Sequence, residues 1–140
     1  MMRQALHRLG VETHGKGLTE ITHPVVDWVV EQDIDVGLLT IWCRHTSASL
    51  TVQENADPTV REDIKRFFEK IAPEDPKAYI HDDEGLDDMP AHLRTMLTDT
   101  QLTIPVADGR PVLGTWQGVY LFEHRRRPHR RELVLHLLGE

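Results

Sequence analysis

The stretch Val36-Gly37-Leu38-Leu39-Thr40-Ile41-Trp42-Cys43-Arg44-His45-Thr46-Ser47-Ala48-Ser49-Leu50-Thr51-Val52-Gln53 decides the architecture. Leu39, Ile41, Cys43 and His45 share one phase of a strand over residues 37–46, and Val36, Leu38, Thr40 and Trp42 share the other, so both faces are partly apolar. A second strand, residues 48–53, follows almost at once. Upstream, residues 3–13 read as short extended segments anchored by Leu6, Leu9 and Val11. Thr22 then suits an N-cap with Pro24 in the first helical turn, and Ile21, Val25, Trp28 and Val29 recur at helical spacing up to about Asp33. Downstream, Asp57-Pro58 opens a helix with a carboxylate cap and proline at the first position, and Val60, Ile64, Phe67, Phe68 and Ile71 form its apolar stripe until Pro73 and Pro76. An acidic loop over 74–86 leads to a helix capped by Asp87 or Asp88, whose buried face is expected at Met89, Leu93, Met96 and Leu97. Strands follow at 101–106, 110–115, 118–124 and 132–138, with Asp108-Gly109 as a hairpin turn between the first two. The order β-α-β-β-α-α-β-β-β-β predicts an α+β domain: antiparallel sheet or sandwich with about three helices.

At 140 residues and 16.1 kDa the chain has room for one domain, residues 1–140. No apolar run is long enough to cross a membrane, and the opening Met1–Leu9 is too polar for a secretory leader. Cys43 is the single cysteine, which excludes an internal disulfide and an all-cysteine zinc site and favours a reducing, cytoplasmic setting. The net charge of −7 disfavours a general nucleic-acid binder. Arg125, Arg126, Arg127, Arg130 and Arg131 form a local basic run that suits bidentate phosphate contacts or, the favoured reading, a solvated hairpin tip around Pro128, with Arg125 set apart beside His124.

Nine histidines are dispersed along the chain. His45 ends one apolar strand, His124 ends another in phase with Tyr120 and Phe122, and His92 lies one helical turn beyond Asp88. Three imidazoles on core-facing surfaces suit a three-histidine metal site with an open position. Asp88, Glu54 or Glu123 would orient the imidazoles or act as a base. The plainer reading is three hydrogen-bonded structural histidines. Glu54 remains after Asn55 is explained as a turn residue and Asp57 as a cap. Gly114-Thr115-Trp116-Gln117-Gly118 reads either as a ligand approach or as a bulge with a packed indole. Cys43 reads as a small core residue.

The same segments, in order, resemble the YjbQ-type family, labelled secondary thiamine-phosphate synthases. They are His45-Thr46-Ser47-Ala48-Ser49-Leu50-Thr51, Glu54-Asn55, Asp57-Pro58-Thr59-Val60-Arg61, His81-Asp82, Asp87-Asp88-Met89-Pro90, His92, Gly114–Gly118, Glu123-His124-Arg125 and Gly139-Glu140. The likeness is weakest over residues 1–20 and 125–131, and the arginine-rich tip after Arg125 departs from it. The resemblance implies a compact α+β fold, a homotrimer, and a polar pocket with a metal among His45, His92 and His124. The expected ion is zinc, or magnesium with a diphosphate substrate. It further implies a phosphorylated small-molecule substrate, with Glu54, Asp88, Glu123 and Arg125 in catalytic roles and Asn55, Trp116 and Gln117 in binding. The labelled transferase reaction couples a pyrimidine diphosphate to a thiazole phosphate, which requires a cation at the departing diphosphate. No phosphate-cradling glycine loop is present. Two other readings therefore stand beside it: a metal-dependent hydrolase of a phosphorylated metabolite, and a non-catalytic metabolite- or metal-binding module.

Overall fold

A computed structural model describes residues 1–140. Eight strands and three helices follow in the order β1 (Arg3–Thr13), β2 (Gly17–Glu20), α1 (Thr22–Glu31), β3 (Gly37–Cys43), β4 (Ala48–Glu54), α2 (Pro58–Ile71), α3 (Asp88–Leu97), β5 (Gln101–Ala107), β6 (Arg110–Pro111), β7 (Gln117–Glu123) and β8 (His129–Gly139). All pairings are antiparallel, in a five-stranded sheet β1-β8-β3-β5-β6 and a three-stranded sheet β2-β7-β4. The expected α+β sandwich is the observed fold. No helix is long and apolar enough to cross a membrane.

The period-2 pattern sorts the layers. Leu39, Ile41 and Cys43 on β3, Leu133, Leu135 and Leu137 on β8, and Leu102, Ile104 and Val106 on β5 point inward. They meet Leu50, Val119 and Leu121 of the smaller sheet in one buried cluster. Val25, Trp28 and Val29 of α1 join that cluster from the side. On the far face of the smaller sheet, Phe122 meets Phe68 of α2 edge-on at 5.2 Å, and the Tyr120 hydroxyl accepts from Arg61 at 3.0 Å. Helices thus cover one side of the smaller sheet. The outer face of the larger sheet is left uncovered.

Several local expectations change. The extended N-terminal region is one long strand and one short one, broken at Gly15 and Gly17, whose φ values of 133° and 143° favour glycine. Thr22 does not cap α1: its hydroxyl donates to Glu20 and accepts from the Val119 N–H, tying the helix start to β7. Asp57 does cap α2, accepting from the Thr59 N–H at 2.9 Å. The strand from 37 stops at Cys43 rather than Thr46, and that from 110 stops at Pro111. Of the α2 stripe only Phe68 is buried. The buried face of α3 is Asp88, Pro90, Ala91 and Arg94, while Met96 is 83% exposed.

Candidate metal centre

Asp88 opens α3 and His92 follows one turn later, so both side chains rise from one helix face. The His92 Nδ1 sits 2.9 Å from the Thr46 carbonyl, which can only accept; Nδ1 therefore carries the hydrogen. His92 Nε2 is left facing Asp88 Oδ2 at 3.2 Å. His81 arrives from the acidic loop and places its Nε2 2.7 Å from the same Asp88 oxygen and 3.4 Å from Glu84 Oε2. The ligand atoms of His81, Glu84, Asp88 and His92 lie within 4.8 Å of one another. Arg125 fixes the arrangement from behind. It donates to Asp88 Oδ1 at 2.6 Å, to Asp87 Oδ2 at 3.1 Å and to the Glu84 carbonyl at 2.9 Å. Asp88 Oδ2 is thereby turned toward the imidazoles.

Burial works to raise the Asp88 carboxyl, but hydrogen bonds from His81 and Glu84 and the Arg125 charge outweigh it and hold the group below the ordinary carboxylate range. The hydrogen bond with Asp88 raises His81 above the usual imidazole value. Two imidazoles and two carboxylates form a donor set suited to zinc, manganese or cobalt. A tetrahedral ion with bonds of about 2.0 Å separates its ligand atoms by about 3.3 Å. The His92–Asp88 and His81–Glu84 spacings match that figure. The shorter His81–Asp88 contact is a hydrogen bond, with a proton where an ion would sit.

Of the three histidines singled out in the sequence, His92 alone joins this cluster. His45 Nε2 accepts from the Glu132 N–H at 2.8 Å. His124 is fully buried, with Nε2 2.8 Å from Ser49 Oγ and its ring 4.4 Å from that of Phe122. Asp88 and Arg125 are both at the centre. Glu123 is not: its buried oxygens accept from Thr13, from Arg131, and from the N–H groups of His124 and Arg125. Glu54 accepts from the Ala56 and Asp57 N–H groups, each at 2.7 Å. Asn55 donates to the Thr115 and Gln117 carbonyls, and Gln117 accepts from the Gly114 N–H, so both clamp the loop that holds Trp116 64% exposed. That loop lies at the opposite end of β7 from Glu123, about 20 Å of strand away. Glu54, Asn55, Trp116 and Gln117 thus form a separate group. Glu84 was missed, and His81, quoted in the resemblance as His81-Asp82, was given no role, because a loop has no periodicity to read. The signal available was His81 seven residues before an Asp-x-x-x-His helix start.

Beside the centre lies a polar cavity of about 590 Å³ walled by Asp83, Glu84, Asp87 and the arginines 125–127. A profile of the UPF0047 YjbQ-like proteins matches residues 7–140. The chain belongs to this family. A UPF0047 protein of Synechocystis sp. is 50% identical over 138 residues, covering 99% of this chain and 94% of the relative. The UPF0047 protein YjbQ of Escherichia coli O157:H7 is 41% identical over 133 residues, 94% and 96% of the two chains. A crystal structure of a YbjQ-like protein of unknown function from Sulfolobus solfataricus superposes with a TM-score of 0.92 at 25% identity, covering 100% of each chain. The YjbQ-like fold therefore accounts for the whole chain.

Proposed function

We propose that this YjbQ-like protein is a divalent-metal-dependent enzyme acting on a phosphorylated small molecule, with His81, Glu84, Asp88 and His92 holding the ion. The observation that carries the reading is the convergence of two imidazole Nε2 atoms on one carboxylate oxygen, the other oxygen being held by Arg125. A bound divalent ion supplies charge neutralisation at a phosphate or diphosphate and a more acidic bound water. The remaining work falls to the chain itself. Thr46 sets the His92 tautomer, as outer partners of metal-binding histidines do. Arg125 orients Asp88 and ties down the loop that carries Glu84. Arg127 lines the adjoining cavity and offers guanidinium donors to phosphate oxygens, beside Arg126, whose guanidinium is paired with Glu74.

The transferase form of the reading couples a pyrimidine diphosphate to a thiazole phosphate with release of pyrophosphate. In the hydrolase form water attacks instead. The likeness of the His45–Thr51, Asp87–His92 and Glu123–Arg125 segments to the YjbQ type supports the former. The homotrimer expected from the same likeness is supported by the exposed Leu6, Leu38 and Leu138 at one end of the mixed polar and apolar outer face of the larger sheet. A cytoplasmic setting fits the free, buried Cys43.

Elemental analysis of untagged protein after loading and desalting tests the centre. About one ion per chain is expected, lost in His81→Ala, Asp88→Asn and His92→Ala and kept in His45→Ala. Retention of the ion in all three centre variants refutes the assignment. Pyrophosphate release that needs both organic substrates identifies the transferase, whereas phosphate release from one substrate identifies the hydrolase.

A further inference from the structure

On the other side of the turn after β3 lies a second cavity of about 590 Å³, between the end of that strand and the C-terminal part of α3. In a protein with a net charge of −7, no carboxylate lines it. Its apolar part is the Trp42 indole, 46% exposed on the outer face of β3, together with Met96. Its polar part includes donors from Arg44, His45 and Thr100 beside the hydroxyls of Thr95 and Thr98, whose hydrogens go to backbone carbonyls. His45 Nε2 accepts from the Glu132 N–H, so the ring is neutral and its hydrogen sits on Nδ1, where no protein acceptor meets it. Arg44 shares one Glu132 oxygen with Arg8, at 2.7 and 2.6 Å, so one carboxylate faces two guanidiniums and the local balance stays positive. Thr100 adds a hydroxyl with no side-chain partner.

We infer that this cavity is a second ligand site, for a small planar organic anion whose ring lies against Trp42 and whose phosphate or carboxylate meets Arg44 and His45. Aromatic stacking and a guanidinium at the rim are complementary to such a molecule, and the volume is in the range of small-ligand pockets. The site stands apart from the metal centre and is independent of it. The two share only the Thr46 carbonyl, which accepts from His92 on one side and from Thr95 on the other.

The test uses the full chain stripped of metal with chelator, so that failure of the metal centre does not bear on it. Tryptophan emission is followed on titration with phenyl phosphate, benzoate and the neutral benzyl alcohol. Both anions are expected to bind at least tenfold more tightly than the alcohol, and the tighter of the two identifies the headgroup. The emission change should vanish in Trp42→Phe. Arg44→Gln should bring the anions to within about threefold of the alcohol while keeping the wild-type melting temperature. Equal binding of the alcohol, an emission change that persists in Trp42→Phe, an anion preference intact in Arg44→Gln, or no binding by any of the three overturns the inference.

Discussion

His124 has exchanged water for a hydrogen-bonded chain of hydroxyls. Ser49 Oγ lies 2.8 Å from its Nε2, Thr98 Oγ1 lies 2.6 Å from Ser49, and the Arg94 carbonyl accepts from Thr98 at 2.8 Å. A carbonyl can only accept, so one orientation serves every member: the ring donates to Ser49, Ser49 to Thr98, and Thr98 to Arg94. Burial, then the Arg94 charge, push the His124 pKa down to about 3. Below about pH 6.5 the unfolded chain takes up a proton that the folded chain refuses. Stability attributable to this residue is therefore whole above that pH and falls by about 1.4 kcal/mol per pH unit toward pH 3. Urea titrations at pH 7.5, 6.0 and 5.0 should show this slope, shallower in His124→Gln; an unchanged slope refutes the assignment. Glu123 is the second buried group with structural duties. Replacing it by Gln leaves the Arg131 guanidinium without its counter-charge between the sheets and should cost about 3–5 kcal/mol, read from the same titrations. At the proposed metal centre the hydrogen bond with Asp88 raises the His81 pKa, so protons would compete with a bound ion there. Metal affinity should therefore weaken as pH falls through that value and level off above it, by calorimetry. Helix phase singled out His92 with Asp88 one turn before it, and Arg125 stood out through its place beside His124. Strand phase selected His45 and His124, but the structure ties the Nε2 of each to Glu132 and Ser49, partners distant in sequence, and leaves each Nδ1 without a protein partner, away from the His92 cluster.

Elements that begin or turn through local chemistry were legible. Asp57-Pro58 starts α2, and Asp108-Gly109, with φ values of 53° and 76°, turns β5 into β6. The face of α3 was not. Its Met and Leu residues recur at helical spacing, yet Met96 and Leu97 are exposed while Asp88 and Arg94 are buried. The reason is what α3 packs against. Arg94 donates to the Ala72 carbonyl past the end of α2, and Asp88 meets His81 and Arg125, so the neighbours are polar and the helix turns its polar stripe toward them. The contact of β3 with β8 depends on a missing side chain. A Cβ on Gly37 would lie 2.5 Å from the Leu138 carbonyl oxygen, a backbone atom that cannot swing away. Gly37→Ala should part the two strands at that end and destabilise by about 1–3 kcal/mol in urea titration. A neutral result would show that the strands slide freely there.

At the scale of the molecule, the outer face of the larger sheet carries Leu6, Leu38 and Leu138 on three adjacent strands, all exposed, with no helix over them. Exposed leucines grouped in this way, with polar residues such as His136 and Gln4 around them, mark a candidate association surface. Light scattering on the eluting protein should give the mass of three chains, and Leu38→Glu should give a folded species of one-chain mass. A wild-type monomer at tens of micromolar would remove the trimer from the reading. Sheet order could not be read in advance, because it rests on pairings between distant residues. β8 lies between β1 and β3, with Arg3 opposite Gly139 and Thr13 opposite His129. This has a consequence for synthesis. Until residues 129–139 have left the ribosome, β1 and β3 each lack their shared neighbour and expose unpaired strand edges, the state in which nascent chains most readily aggregate. Closure of so long a loop makes spontaneous folding slow, in the millisecond-to-second range of β-rich topologies. The larger sheet is therefore completed late, and a cell that makes this protein quickly must shield those edges until its final strand arrives.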